Sequence, residues 1–432
     1  MSARFPSPGG LAWGVLRSPS GEWIPLVRAC CFPAPSAAAL GYSQEHGKAM
    51  TDTLSTEMIR DPSQFAALAE GWDALCQDSA ADNVFLTWDW VQAWWEHFGA
   101  GKELALAVAR AGEQLVGVAP LYRARSGALR WLGSGESVSP DHLSFIIRRG
   151  CEEGATEALL QALLALDHPL LDLTDVPEHG TLARWLAGAR GVCWAAHEWA
   201  VCPYAQLPAS WQAYEESLSR NMRYNLRRRT RQLLRDLSAE LVTWHAEHEA
   251  EAGLEEVARL HRLRWQGRAE RFSFSDAGYI AFHRDFARRA ARRGWLRLYG
   301  LRLEGQVIAA WYGFKRGDVL YYYQSGFDPA LDKHSPGMVL KGLVVRQAIE
   351  EGARELDLLK GDHEYKRAWA TGARRTLRIM IAPRGLRGWA AVAPAWLESR
   401  KQRVKSLLAR MPRARWTWGW TRGLHANAPT AR

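Results

Sequence analysis

The sequence predicts an α/β layered protein made of one unit used twice, and three observations predict it. Two segments align without a gap at an offset of 192 residues: LALAVARAGEQLVGVAPLY (Leu104–Tyr122) against LRLYGLRLEGQVIAAWYGF (Leu296–Phe314). Helical patterns precede each copy, and a helical stretch followed by a short apolar strand comes after it, so both halves read helix–helix–hairpin–helix–strand. The composition, 47% hydrophobic and 24% charged over 432 residues, is that of a globular chain. It excludes disordered, collagenous and disulfide-scaffold classes. At about 150 residues per domain, the length predicts two domains plus tails.

Residues 1–49 are rich in Pro, Gly, Ser and Ala and lack a continuous apolar core after a basic start. They do not read as a signal peptide. They are expected to be a disordered or wrongly assigned extension, with Met50 as the start of patterned sequence. The first unit, 50–205, opens with helical patterns at Phe65–Leu75 and Trp88–Phe98. Thr87 is placed to cap the second, and Trp90, Trp94 and Phe98 at i, i+4 and i+8 form its buried face. Indoles also suit stacking on sugar rings. The aligned segment then reads as strand, tight turn at Ala-Gly-Glu, and strand. LLDLTD (Leu170–Asp175) is the short strand that closes the unit.

The second unit, 206–383, begins with an intense basic run, LSRNMRYNLRRRTRQLLRD (Leu218–Asp236). Leu218, Met222, Leu226, Leu233 and Leu237 recur at helical spacing, so one face docks and the arginines lie elsewhere. Ser217 or Ser219 can cap it. Arginine forks match two phosphate oxygens at once, so the run is a solvated face or a dock for polyanions. No helix-turn-helix or zinc-finger pattern surrounds it, so no DNA is expected. Leu254–Trp265 and Tyr279–Arg292 are helical patterns, and His261 and His283 within them are expected to pack in the core or at its rim. After the hairpin, Tyr321 and Tyr323 share a strand face opposite Tyr322. Asp357 closes a core strand, and Asp362, His363, Tyr365 and Lys366 follow on a loop, where a carboxylate, imidazole or phenol can relay a proton.

The second half also carries LHRLRW (Leu260–Trp265), GQVIAAWYGF (Gly305–Phe314), YYYQSGFDP (Tyr321–Pro329), SPGMVL (Ser335–Leu340) and LDLLKGDHEYKRAW (Leu356–Trp369). With the order of elements, these resemble the GNAT N-acetyltransferase fold. The tandem use resembles CelD-like acetyltransferases and the Fem-type aminoacyltransferases, over about residues 54–383. The resemblance implies two GNAT-like units, each a mixed sheet flanked by helices, with acetyl-CoA or another acyl-CoA as donor. It puts the donor loop at Lys333–Val339, where a helix N-terminus holds pyrophosphate. Ser335 would cap, Pro336 suits the first helical position, and Gly337 lets a phosphate approach. Met338 and Val339 complete the loop, although the stretch departs from the usual Arg/Gln-x-x-Gly-x-Gly/Ala at two of three positions. Lys366 or Lys360 would hold a phosphate or polarise the carbonyl. Asp357, Tyr365, Lys366 and Tyr323 are the catalytic candidates, the Tyr365–Lys366 pair resembling an aromatic–Lys pair that engages the activated donor in Fem-type enzymes. At the matching place in the first unit, near Arg148–Gly154, Glu152 and Glu153 oppose phosphate, so that unit is expected to be degenerate.

The function expected is N-acylation of an amine, an amino sugar for choice, in a cell-envelope or exopolysaccharide precursor. The alternatives are a Fem-type transferase using aminoacyl-tRNA and a pseudo-catalytic assembly factor for polysaccharide synthesis. Six scattered cysteines with no Cys-x-x-C or Cys/His cluster argue for no metal and a reducing, cytoplasmic compartment. From Arg384 to Arg432 eleven basic residues face one acid, Glu398, so the net charge of +10 resides in the tail. Its apolar positions from Leu386 to Met411 form a stripe interrupted by polar Arg400–Gln402; Arg387, Lys401, Arg403 and Lys405 supply a basic face, and Trp416, Trp418 and Trp420 follow. The tail is therefore either a helix packed on the body or a contact with an anionic membrane surface, peripheral to the inner membrane.

Overall fold

The computed structural model describes residues 15–17, 23–25, 54–136, 138–265, 274 and 276–410. The expectations for residues 1–49 and for Trp416–Trp420 fall outside these, apart from a short antiparallel pair, Val15–Arg17 with Trp23–Pro25.

In the first half the order is β1 (Ser55–Ile59), α1 (Pro62–Ala67), α2 (Ala69–Gln77), α3 (Trp88–Phe98), β2 (Leu106–Ala111), β3 (Gln114–Ala119), α4 (Glu152–Leu164), β4 (Leu171–Pro177) and β5 (Val192–Gln206). The Phe65–Leu75 pattern splits at Leu68, which caps α1 and opens α2. Thr87 caps α3 as expected, accepting from the Trp90 N–H. Positive φ at Gly112, +59°, makes the β2–β3 turn. The second half runs α5 (Arg220–Arg231), β6 (Glu240–Thr243), α6 (Ala250–Trp265), α7 (Ala277–Arg292), β7 (Leu296–Leu303), β8 (Gln306–Arg316), β9 (Val319–Phe327), α8 (Pro336–Glu350), β10 (Glu355–Asp357), α9 (Glu364–Arg367), β11 (Gly372–Pro383) and α10 (Leu386–Arg410). Both repeated segments fold as hairpins, and each is followed by a helix and a buried strand.

The two hairpins lie in different sheets. β1, β2 and β3 pair with Ile146–Ile147 in a four-stranded sheet. β7–β8–β9–β10 enters a mixed sheet that continues through β5, β11 and β4. Thus β5, the last strand of the first half, sits between β10 and β11 of the second, antiparallel to both. β11 in turn pairs with β4. The halves exchange strands, and their backbones share one ladder.

They also share a core. Trp90 on α3 meets Phe282 and Phe286 on α7 edge-on, with ring centres 5.1 and 4.7 Å apart. Trp90 and Trp94 are fully buried, so the alternative of a sugar-stacking platform on α3 does not hold. Ion pairs cross the same boundary, including Arg316 with Asp82 at 2.8 Å and Arg293 with Asp89 at 2.8 Å. The four described cysteines are free.

Candidate active site

Strand β9 sets the site. Its pairing with β8 slips between Tyr312 and Gly313, which oppose Gln324 and Tyr322, so Tyr323 is an extra residue on a bulge. A bulge bends its strand and re-aims a side chain. Here Tyr323 reaches the wall of a cavity of about 200 Å³, and Tyr322 lines it as well. One turn of α6 presses on β9 where Gly326 has no side chain; a Cβ there would lie 2.5 Å from the His261 backbone nitrogen. That close approach brings His261 and Arg264 to the cavity. The segment after β10 supplies Leu359, Lys360, His363, Tyr365 and Lys366, and the first half supplies Ser139 and Asp141.

Of the expected residues, Tyr323, Lys360, Tyr365 and Lys366 come together here. Lys366 is buried, and its Nζ donates to the Lys360 carbonyl at 2.6 Å and the Leu359 carbonyl at 3.3 Å. An ammonium has three N–H groups, so one is unspent. Burial lowers its pKa, more than Asp141 and the other nearby anions raise it. The Tyr365 ring stacks on His363 and lies under Arg264, 5.5 Å from ring centre to guanidinium carbon. Burial raises its phenol against the pull of that cation.

Asp357 does not line the cavity. It is 2% exposed, with Oδ2 2.8 Å from His142 Nε2 and Oδ1 accepting from the Leu359 N–H at 2.8 Å. Burial opposes its charge, but His142 outweighs that and holds the carboxyl below its usual value; burial likewise disfavours the imidazolium, and Asp357 raises it. The carboxylate braces a strained turn, since Leu359 has φ +57° and His142 φ +57°. Lys360 is also committed: its Nζ donates to Asp175 at 2.7 Å and to the Pro140 carbonyl at 3.0 Å.

The donor loop is separate from these groups but adjacent. Ser335 does not cap α8: it takes a left-handed conformation, φ +52°, and its side chain makes no capping bond. Its carbonyl accepts the Met338 and Val339 N–H groups at 3.0 and 3.2 Å, and the Val339 side chain is fully buried. Gly337 packs on the Phe327 ring, 3.3 Å from where its Cβ would be, and Arg264 lies over the other end of that contact, 5.1 Å from the ring centre. Phe327 and Arg264 therefore link the helix end to the cavity.

Sequence reasoning missed Asp141, His142, Arg264 and Lys341. Asp141 is 1% exposed, accepts the Lys360 backbone N–H at 3.1 Å, and lies 3.6 Å from Lys360 Nζ. Burial pushes its pKa up to about 6, against the pull of Lys360. The signal was a Ser-Pro-Asp-His run between apolar segments, in the half expected to be inert. Lys341 on α8 lies behind the cavity wall, 4.3 Å from the Tyr322 ring centre and 5.0 Å from that of Tyr365. His283, expected in the core, is there, bonded to Tyr323 and Tyr312 hydroxyls at 3.2 Å each. Burial drops its pKa to about 3, so it is neutral. Among the described residues no group of His, Cys, Asp and Glu is arranged to hold a metal.

Residues 220–367 match the family model described as an acetyltransferase (GNAT) domain. The crystal structure of FemX aligns with a TM-score of 0.56 at 12% identity, covering 79% of this chain and 99% of that one. A conserved protein of unknown function from Bacteroides thetaiotaomicron aligns at 0.46 and 10% identity, over 76% of this chain and 100% of that one. The C-terminal domain of a putative lysylphosphatidylglycerol synthetase from Agrobacterium fabrum aligns at 0.45 and 12%, over 77% and 96%. No protein of curated function matches. The chain thus has the FemX fold, and its second half carries a GNAT domain, as the resemblance implied.

Proposed function

We propose that the chain is an N-acyltransferase moving an acyl group from acyl-CoA to the amine of an amino sugar or similar acceptor in a cell-envelope or exopolysaccharide precursor. The observation that carries this reading is a buried carboxyl of near-neutral pKa, Asp141, sharing one cavity with the Lys366 amine. Acyl transfer to an amine needs an acceptor for the amine's proton and a donor to the carbonyl oxygen. Asp141 takes the proton. The unspent Lys366 N–H supports the oxyanion that forms as nitrogen attacks the thioester carbon. The carbon–sulfur bond then breaks, and the departing thiolate is protonated from solvent. The α8 N-terminus at Gly337 is the place for the donor's phosphates.

A second reading has its own observation. On α5 and the turn that follows it, Arg220, Arg228, Arg231 and Arg235 are exposed and have no acidic partner among the described residues, and Tyr224 between them is 62% exposed. That surface suits RNA phosphates and bases, as an aminoacyl-tRNA donor would require. A melting-temperature panel separates the two. Stabilisation by acetyl-CoA or longer acyl-CoAs supports the first. Steeply salt-dependent tRNA binding without an acyl-CoA response replaces it with the second. Response to neither would point to a pseudo-catalytic role in polysaccharide assembly.

A further inference from the structure

We propose that the outward face of α10 docks the protein on an anionic lipid surface. The helix is anchored by its inner side. Val392 and Ala395 are buried against Cys193, Ala195, Met380 and Ala382 of β5 and β11. Gln402 Nε2 donates to the Glu198 carbonyl at 3.1 Å, so the attachment extends along the helix and fixes its roll. The opposite side is apolar where a solvent face should be polar. Leu386 is 92% exposed, Trp389 44%, Leu397 52% and Val404 55%. At about 100° per residue Leu386, Leu397 and Val404 fall on one stripe directed away from Val392 and Ala395, and Trp389 lies at its edge, about 60° from Val392.

Charge decides what covers that stripe. Arg387 and Lys401 are exposed beside it and Arg400 within its span, against a single acid, Glu398, which lies 3.6 Å from Lys401. The chain beyond the helix, residues 411–432, adds Arg413, Arg415, Arg422 and Arg432 with no acid, and Trp416, Trp418 and Trp420. A second copy of the chain would bring the same positive charge to the contact and be repelled. An anionic leaflet is complementary to both the basic flanks and the indoles, which favour the headgroup level. No helix among the described residues is long and apolar enough to cross a membrane. An apolar stripe of one-sided width, flanked by cations, lies in the interface plane.

The dock and the cavity lie along one strand, β5. Ala195 of β5 meets α10, and Cys202 of the same strand has its Sγ 3.9 Å from Asp141 Oδ1. From Glu198, where Gln402 attaches, to Cys202 is four residues of strand, about 13 Å. Membrane attachment would therefore present the cavity to an acceptor whose reactive amine stands off the lipid surface, as on a lipid-linked precursor.

The test is co-sedimentation of the full chain with vesicles of phosphatidylcholine alone and of phosphatidylcholine with phosphatidylglycerol, in low and high salt. The wild type should sediment with the anionic vesicles only, less so in high salt. Reversing Arg387, Arg400 and Lys401 to Glu should weaken binding on the order of 100-fold. Trp389→Ser with Leu397→Ser should weaken it about tenfold or more at little change in melting temperature, because neither side chain belongs to the cluster that anchors α10. Equal indifference to both vesicles overturns the proposal, as do variants that bind like the wild type. A wild-type dimer split by Trp389→Ser with Leu397→Ser, without vesicle binding, would assign the face to a second copy instead. No substrate is needed, so the outcome is independent of the acyltransfer reading.

Discussion

At the scale of single residues, three carboxylates that look alike in the sequence do different work because their surroundings differ. Asp175 neutralises Lys360, Asp357 braces a turn against His142, and Asp141 faces the cavity with its pKa raised to about 6. A base must be ionised to accept a proton, so turnover should rise with pH through about 6. Asp141→Asn should lose about 100-fold or more in kcat and flatten that limb of the pH profile. Lys366→Met should lose a comparable factor through the missing N–H to the oxyanion. Asp357→Asn should act on stability, leaving His142 buried without its counter-ion at a cost of about 3–5 kcal/mol. The pair also predicts a pH trend. His142 is raised above its ordinary 6.5, so the stability it contributes is full below that value and is lost as pH rises through the folded value. Melting temperature measured from neutral to alkaline pH should fall in the wild type, and the fall should be smaller in Asp357→Asn.

At the scale of elements, glycines decide where backbones meet. Gly326→Val would drive a side chain into the α6 backbone at Leu260–His261, which cannot yield as a side-chain tip can. A loss of about 1–3 kcal/mol in stability, with turnover falling further as Arg264 and His261 shift, is the expected outcome of chemical denaturation and kinetic measurements. Gly337→Glu meets only the Phe327 ring, so that variant should fold and fail to bind an acyl-CoA, by steric and charge conflict at the α8 N-terminus. Unchanged donor affinity in folded Gly337→Glu would remove the donor site from α8. Much at this scale was legible. Alternation and the aligned hairpins gave β2–β3 and β7–β8, Thr87 was readable as a cap, the cap of α5 was narrowed to Ser217 or Ser219 and is Ser219, and the tyrosine run gave its two faces. The Ser335 cap was misread because a Ser-Pro pair signals a helix start without fixing φ, and the left-handed conformation at Ser335 turns its side chain away from the first turn.

At the scale of the whole molecule, a repeat seen in sequence says that two units exist but not how they are joined. β5 between β10 and β11 is long-range pairing that leaves no local trace, since each strand is apolar whichever neighbour it has. For the same reason Lys366 and Tyr365 could be read from one motif, while Asp141 could not: its role depends on contact with a segment more than 200 residues away. The consequence is that neither half alone completes the site. The most direct measurement is transfer of labelled acetyl from acetyl-CoA to amino-sugar acceptors, followed across pH for the full wild-type chain and for Asp141→Asn. Labelled amide formed by the wild type with a rate rising through about pH 6, and a pH-independent residue about 100-fold lower in Asp141→Asn, is the predicted result. Full turnover by Asp141→Asn at every pH would contradict a site shared between the two halves.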